Sequence, residues 1–404
     1  MKILQVNAVY GIKSTGRTCA ELTDAIKAHS GESLTACSTQ TALADAVCIA
    51  PMWECKFHAL ASRVTGLQGY FSPVSTANLI KLIHSYKPDV VHLRNLHSNY
   101  LNLNVLFRFL ASKDIPTVVT LHDCWPYTGK CTHYTAVGCN KWQTGCHACP
   151  KLKCDNKSWF FDRTAKMWHD KKAGWQSIPR LAVVGVSDWI TQEAERSPMF
   201  AHAKIIRRIY NWIDLDVFAP CDTQKAKEKF GFAGKKIILG VASSWSERKG
   251  LDKFFALADS LDRDEKIVLV GRMPHQALPE NVLSVPETTD VKELAAYYNA
   301  ADVFLQLSEE ETFGKVTAEA LACGTPVITN NKTANPELVD ATCGITLAAT
   351  DCISVAEALK TVLQNGKEHY TQACTARARR LFEKDANIRL YENLYAELAG
   401  RCMD

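Results

Sequence analysis

No run of about 18 apolar residues occurs in this 404-residue chain, so no segment reads as a membrane-spanning helix. The opening residues, Met1-Lys-Ile-Leu-Gln-Val6, read as a strand and lack the apolar core of a secretion signal; the expected location is therefore the cytoplasm. Charge of one sign is also missing. Lys and Arg number 47 against 43 Asp and Glu, and a formal +4 is too weak to argue for a nucleic-acid partner. It is compatible with an anionic substrate or membrane surface. Nor is the composition that of a disordered chain: 47% hydrophobic and 22% charged residues are ordinary for globular proteins. A chain of this length suggests two or three domains, each able to bury a core.

Cysteine, by contrast, is abundant, with 16 residues. Without an export signal, disulfides are not expected. Ten are scattered, several in apolar strands and helices where a thiol usually serves as a small buried hydrophobe. Six (Cys124, Cys131, Cys139, Cys146, Cys149 and Cys154) fall within 31 residues. Cys146-His-Ala-Cys149 has the spacing that lets two thiolates chelate one ion, and Cys131 and Cys139 would complete a structural zinc site. The overall spacing is not a common zinc-finger pattern. Cys124, His133, His147 and Cys154 are rival ligands, and free thiols packed around Trp125 and Trp142 are the alternative. A loop this long without helix or strand needs some staple.

Elsewhere short apolar runs alternate with helical patterns, the signature of parallel α/β units. Residues 301 to 328 are the most informative. Ala301 to Leu307 reads as a buried strand, Ser308 to Phe313 as an acidic loop, and Ala318-Glu-Ala-Leu-Ala322 as helix, stopped by Gly324 and Pro326. The first free amides of that helix, near Gly314 and Lys315, would face the carboxyl edge of the sheet and can hold a phosphate. Glu311 and Glu319 are separated by seven residues, one on the loop and one on the helix. The alternative reading is a surface helix with an acidic first turn stabilised by its dipole.

At these residues the chain resembles the Glu-x7-Glu motif of retaining glycosyltransferases of family 4, including the flanking Phe313-Gly314 and Cys323-Gly-Thr-Pro-Val327. The resemblance implies the GT-B fold: two Rossmann-like α/β domains facing across a cleft, with a C-terminal helix returning to the first. It extends to Pro88-Asp-Val-Val-His92, to the Thr-x-His-Asp position of His122 and Asp123, to Asn211-Trp-Ile-Asp-Leu-Asp-Val-Phe-Ala-Pro220, and to Lys249-Gly250. The family's arginine five residues before the Lys-Gly is Ser244 here, with Arg248 able to supply the second charge. Its frequent Gly-Gly pair on the first, acceptor-side loop is replaced by the separated Gly11 and Gly16. In place of the family's interdomain glycine stands Trp212. The cysteine insert resembles one found in exopolysaccharide glycosyltransferases of the colanic-acid type.

The expected domains are 1–210 for the acceptor, with the insert at 124–154; 211–221 as interdomain segment; 222–385 for the donor; and 386–404 as the returning helix. The resemblance implies a sugar transferred, with retention, from a nucleoside-diphosphate sugar to a hydroxyl of a glycan or lipid-linked glycan in cell-surface polysaccharide synthesis. Peripheral contact at the inner face of a membrane is also expected. Lys249, Arg248 and the Gly314 and Lys315 amides would hold the pyrophosphate, Gly271 and Arg272 the base, Glu319 the ribose, and Phe313 would adjoin the donor. Glu311 and His122 would contact the sugar, with Asp123 orienting the His122 ring. No cofactor or catalytic metal is expected. The pairs Asp214-Leu-Asp216 and Asp262-Arg-Asp264 imitate the metal signature of the other large glycosyltransferase class, but neither follows a strand beside a candidate sugar site. An epimerase or hydrolase acting on the donor alone, and a non-catalytic sugar-nucleotide sensor or scaffold, are the competing readings.

Overall fold

The computed structural model describes residues 1–401, so the last three residues of the expected 386–404 segment lie outside them. Two compact units emerge: Met1–Ile209 with the chain from Ile388 onward, and Tyr210–Asn387. Each is built on one parallel sheet. In the first, β1 (Lys2–Val6), β2 (Glu32–Cys37), β3 (Ala46–Cys48), β4 (Val90–Leu93), β5 (Thr117–Leu121), β6 (Leu181–Gly185) and β7 (Ile205–Arg208) lie in the order β3-β2-β1-β4-β5-β6-β7. In the second, β8 (Lys236–Ser244), β9 (Glu265–Arg272), β10 (Val282–Val285), β11 (Val303–Gln306), β12 (Val327–Asn330) and β13 (Gly344–Leu347) lie in the order β10-β9-β8-β11-β12-β13. β4, β5 and β6 are buried at every residue, as strands covered by helices on both faces must be.

This topology decides where ligands can sit. Strand order reverses between β1 and β4 in one sheet and between β8 and β11 in the other. At such a switch point the two loops leaving the carboxyl ends diverge and open a crevice.

Two expectations are corrected by the first and last helices. The first helix spans Lys13–Ala28, so Gly16, expected on the acceptor-side loop, lies inside it and only Gly11 is on the loop. Gly16 is tolerated there because a Cβ would stand 3.0–3.2 Å from Val9; the bare Cα lets the first turn press onto that backbone. The helix Lys367–Phe382 is followed directly by the returning helix expected at 386–404, which begins earlier, as Lys384–Ala399. Glu383 breaks them: its backbone is extended, it bridges to Ile213, and its carboxylate accepts from the amides of Asp385 and Ala386.

The second of these helices closes the first unit. Tyr391 shares a hydrogen bond with Thr120 (3.0 Å), and the Tyr395 hydroxyl pairs with His92 Nδ1 (2.7 Å), whose Nε2 pairs with Thr120 (2.7 Å). Burial, followed by the charges of Arg94 and His122, pushes His92 well below the ordinary value of 6.5. It is therefore neutral in the folded protein. As pH falls below 6.5, unfolded chains bind a proton that the folded chain does not, and stability drops with a slope that approaches, at most, about 1.4 kcal/mol per pH unit for this residue. Denaturant titrations between neutrality and about pH 5 should give a steeper acid loss for wild type than for His92→Gln, whose slope lacks this term. Equal slopes would contradict a neutral buried His92.

Candidate active site

In the second unit, the loop after β8 is pressed onto the end of β11. Gly250 has φ 78°, and a Cβ there would lie 2.7–2.8 Å from Cβ and the carbonyl oxygen of Leu307. Only glycine fits both the left-handed backbone and the close approach. Trp245 fixes the other end of the loop, buried and donating from Nε1 to the Val270 carbonyl (3.1 Å). Between them the short turn Glu247–Lys249 delivers Lys249 to Glu311, with Nζ 2.5 Å from Oε1.

The acidic loop is clamped from several sides. Glu309 pairs with both Lys253 and Lys332, and these two lysines hold its carboxyl below the usual range against the opposing effect of burial. Its amide donates to the Arg248 carbonyl (3.0 Å), while Arg248 itself is exposed. Glu310 is buried. The loop after β12 supplies a support that sequence reading missed. Thr333 Oγ1 accepts from the Glu311 amide (3.0 Å), and the Ala334 amide donates to the Glu311 carbonyl (3.2 Å). Thr333 is held at φ 51°, a left-handed conformation costly for a β-branched residue. Asn335 and Asn330 both donate to the Ser308 carbonyl (3.1 and 2.8 Å). The turn-forming run Asn330-Asn-Lys-Thr-Ala-Asn-Pro336 after a strand was the available signal.

Gly314 starts the helix Lys315–Ala322 at φ 86°. The first amides to donate back to its carbonyl are those of Thr317 and Ala318, which leaves the Lys315 amide among the helix-start donors that need an outside acceptor. Phe313 does not line open space. Its ring packs 6.0 Å from that of Tyr210 and 5.4 Å from that of Phe382, so it seats the Gly314 turn from beneath. Glu319 is 3% exposed and accepts from the Tyr298 hydroxyl (3.0 Å). Ser244 is exposed at the end of β8, in register with Arg272 on β9. Gly271 has φ 132°, and a Cβ would collide with the Ala242 carbonyl at 1.7 Å, so glycine is required where the two strands slip register. Arg272 donates to the Ser243 carbonyl (3.1 Å) and pairs with Glu287 (3.2 Å). Lys249, Glu311 and Gly314 therefore meet at the switch point, while Gly271 and Arg272 lie one strand away.

In the first unit, Gly11 turns the chain after β1, its amide donating to the Gly16 carbonyl (2.9 Å). His122 follows β5 directly and is half-buried. Asp123 engages a residue that sequence reading missed: its Oδ2 lies 2.8 Å from His97 Nε2, on the loop after β4, and its Oδ1 accepts from the Trp125 amide (2.9 Å). Burial works against both charges. Their attraction and hydrogen bond nevertheless hold His97 above its ordinary value and Asp123 below its own. Gln68 completes the chain, donating to the His97 carbonyl (2.7 Å) and accepting from Trp125 Nε1 (2.8 Å).

The cysteine insert is stapled by aromatic rings and buried lysines. Helix Thr164–Ser177 sends Trp168, Lys171 and Trp175 into it, donating to the carbonyls of Trp142 (2.8 Å), Trp125 (2.7 Å) and Pro126 (3.0 Å). The expected zinc site finds no support in the side-chain geometry. Among the described residues no three His, Cys, Asp or Glu side chains could hold a metal ion. Cys146 Sγ accepts from the Gly129 amide (3.2 Å), and the Cys131 thiol hydrogen-bonds to Cys149, another of the four expected ligands. Cys139 and Cys154 are not fully buried, and Cys124 is.

Two family models cover most of the chain. Residues 54–217 match Glycosyltransferase Family 4 and residues 222–380 match Glycosyl transferases group 1. The chain belongs to this glycosyltransferase family. WcaC of Escherichia coli K12, assigned to colanic acid biosynthesis as a glycosyl transferase, is 25% identical over 77% of each chain. Sucrose-phosphate synthase of Thermosynechococcus elongatus has the same fold at 16% identity, with a TM-score of 0.72 over 99% of both chains. Anabaena HepE, solved with UDP-glucose, gives 0.67 at 16% identity over 98% of this chain and 100% of its own. These likenesses establish GT-B architecture for the two Rossmann-like units.

The thiol pair of this glycosyltransferase makes a checkable prediction. The hydrogen bond from Cys131 lowers Cys149, helped by the nearby Lys130, and raises Cys131 in return. Cys149 should therefore alkylate with iodoacetamide at a pH below that of an ordinary thiol, and Cys131→Ala should move the inflection upward. Mass mapping showing Cys149 unreactive, or unmoved by the substitution, would exclude the pairing.

Proposed function

We propose that this glycosyltransferase moves a sugar, with retention, from a nucleoside-diphosphate sugar to a hydroxyl of a glycan or lipid-linked glycan, in the building of a cell-surface polysaccharide. The observation that carries the reading is the Lys249–Glu311 pair beside the Gly314 turn at the switch point of the second sheet. The colanic acid biosynthesis in the name of WcaC supports the polysaccharide class, and UDP-glucose bound to HepE supports the donor class.

Negative charge grows on the leaving diphosphate as the glycosidic bond breaks, so fixed positive donors at that point lower the barrier. Lys249, Arg248 and the amides at Gly314 and Lys315 supply them. The diphosphate competes with Glu311 for Lys249, which frees the carboxylate to accept hydrogen bonds from the sugar. Glu319 accepts from the ribose. Gly271 and Arg272, at the end of the next strand, flank the base. His122, beyond the end of β5, contacts the transferred sugar, while His97 fixes Asp123 beside it. No carboxylate is assigned as a covalent nucleophile, so the acceptor attacks from the face the leaving group vacates. Gly11 lies on the acceptor side.

Lys249→Ala should lower turnover by about a hundredfold or more, since loss of one donor to a developing oxyanion costs about 3 kcal/mol. Its melting temperature should barely move, because a partly exposed ion pair contributes about 1 kcal/mol or less. Wild-type turnover by this variant would remove Lys249 from the diphosphate site. Donor breakdown should also require acceptor; equal consumption without one would favour the hydrolase or epimerase.

The positive charges of the site take the place of a divalent cation. Activity should therefore survive EDTA. Abolition by EDTA with rescue by manganese or magnesium would place a metal in the reaction.

A further inference from the structure

The helix Met52–Thr65 is amphipathic in the inverted sense. Its fully buried residues are a carboxylate and an imidazole, Glu54 and His58. Both serve as polar ties. Glu54 accepts from the amides of Val74 and Ser75 (2.7 and 2.8 Å), and His58 pairs through Nδ1 with Ser72 (2.7 Å) and accepts on Nε2 from the Gly69 amide (3.1 Å). The large apolar side chains point the other way: Met52, Trp53, Phe57 and Leu60 are 62, 63, 56 and 51% exposed. Trp53, Phe57 and Leu60 recur at helical spacing and form one stripe.

A second aromatic segment is bound to the end of this helix. The Trp159 amide donates to the Arg63 carbonyl (2.7 Å), and Ser158 Oγ donates to the Phe161 carbonyl (2.6 Å). Gly66, at φ 75°, makes room: a Cβ there would stand 2.3 Å from the Phe161 oxygen. The tethered segment leaves Trp159, Phe160 and Phe161 at 43, 68 and 50% exposure. Together the two segments hold all five large exposed tryptophan and phenylalanine side chains among the described residues.

Charge selects the occupant. The exposed ionic residues of the helix, Lys56 and Arg63, are both cationic, and Lys153 and Arg163 are exposed on the aromatic segment. The acids nearby are engaged: Asp155 with Lys151 (2.9 Å), and Asp162 with the amides of Cys149 and Thr164 (2.7 and 2.9 Å). Aromatic rings that are apolar in body, flanked by cations, suit the boundary between acyl chains and anionic headgroups. A protein interface core is normally depleted of lysine.

We propose that this face docks the chain onto the surface of a bilayer containing anionic lipid. Tryptophan and phenylalanine enter the interfacial layer, and lysine and arginine meet the headgroups. No helix among the described residues is long and apolar enough to cross a membrane. The inference stands on the surface alone and does not depend on which sugar is transferred.

The test is cosedimentation of the full chain, without donor or acceptor, with vesicles of phosphatidylcholine alone or with added phosphatidylglycerol. Wild type should bind the anionic vesicles, and salt should weaken the binding. The double variant Phe160→Ser with Phe161→Ser should bind about tenfold more weakly or worse. Lys56→Glu with Arg63→Glu should lose the anionic preference by about thirtyfold or more. All four side chains are exposed, so melting temperatures should match wild type; Trp53→Ser is the independent check if either double variant melts early. Failure of wild type to sediment with anionic vesicles, or undiminished binding by these variants, would overturn the proposal. So would a concentration-dependent dimer that the same substitutions dissolve, since the face would then be an interface between copies.

Discussion

The candidate site depends on one close approach: the bare Cα of Gly250 against the backbone of Leu307. A parallel sheet sets neighbouring strands about 4.8 Å apart, and their outgoing loops normally diverge. Here the missing side chain lets the loop after β8 fold onto the end of β11, and Lys249 reaches Glu311 as a result. The acidic loop carries the mutual repulsion of three consecutive carboxylates, Glu309, Glu310 and Glu311. Lys249, Lys253 and Lys332 offset it, each from a different segment. The site is thus a balanced set of charges before any ligand arrives, and an incoming diphosphate changes partners rather than entering an empty field.

The first unit relies on buried polar contacts made by residues far apart in sequence. His92 joins β4 to the returning helix through Tyr395, and Thr120 of β5 joins it through Tyr391. His97 and Asp123 make a second connection between the loops after β4 and β5. Such networks are stabilising only when every member is satisfied, which explains why the helix must return to this unit. The cysteine insert rests on the same unit through hydrogen bonds from Trp168, Lys171 and Trp175 to its carbonyls. Hydrogen bonds from three residues of one helix, with aromatic packing, do the stapling that a metal could have done.

Much of this was legible in the sequence, and the exceptions have physical causes. The alternation of apolar runs and helical patterns announced two parallel sheets, and Glu311, Gly314 and Lys249-Gly250 were legible as a candidate site because they sit in local motifs at strand ends. His97 and Thr333 were missed because their roles come from strand order: β5 neighbours β4, and β12 neighbours β11, which no local pattern reveals; Gln68, between two helices, meets His97 and Trp125 only through the tertiary fold. Gly16 was misplaced because its role is packing against Val9 rather than turning the chain. Zinc spacing suggested a chelate, yet thiol hydrogen bonds depend on where Gly129 and Cys149 come to lie. Helix Met52–Thr65 carries none of the motifs read from the sequence, and its inward Glu54 and His58 invert the usual rule relating polarity to burial.

The central claim is that Lys249 and Glu311 form a pair that a donor diphosphate opens. Calorimetric titration of a nucleoside diphosphate into wild type, Lys249→Ala and Glu311→Gln tests it directly. The account predicts that Lys249→Ala weakens binding, because the phosphate loses its cation. Glu311→Gln should tighten it, because the lysine no longer has a competing carboxylate. Affinities unchanged in both variants, or weakened equally by both, would contradict an exchange of partners at this site.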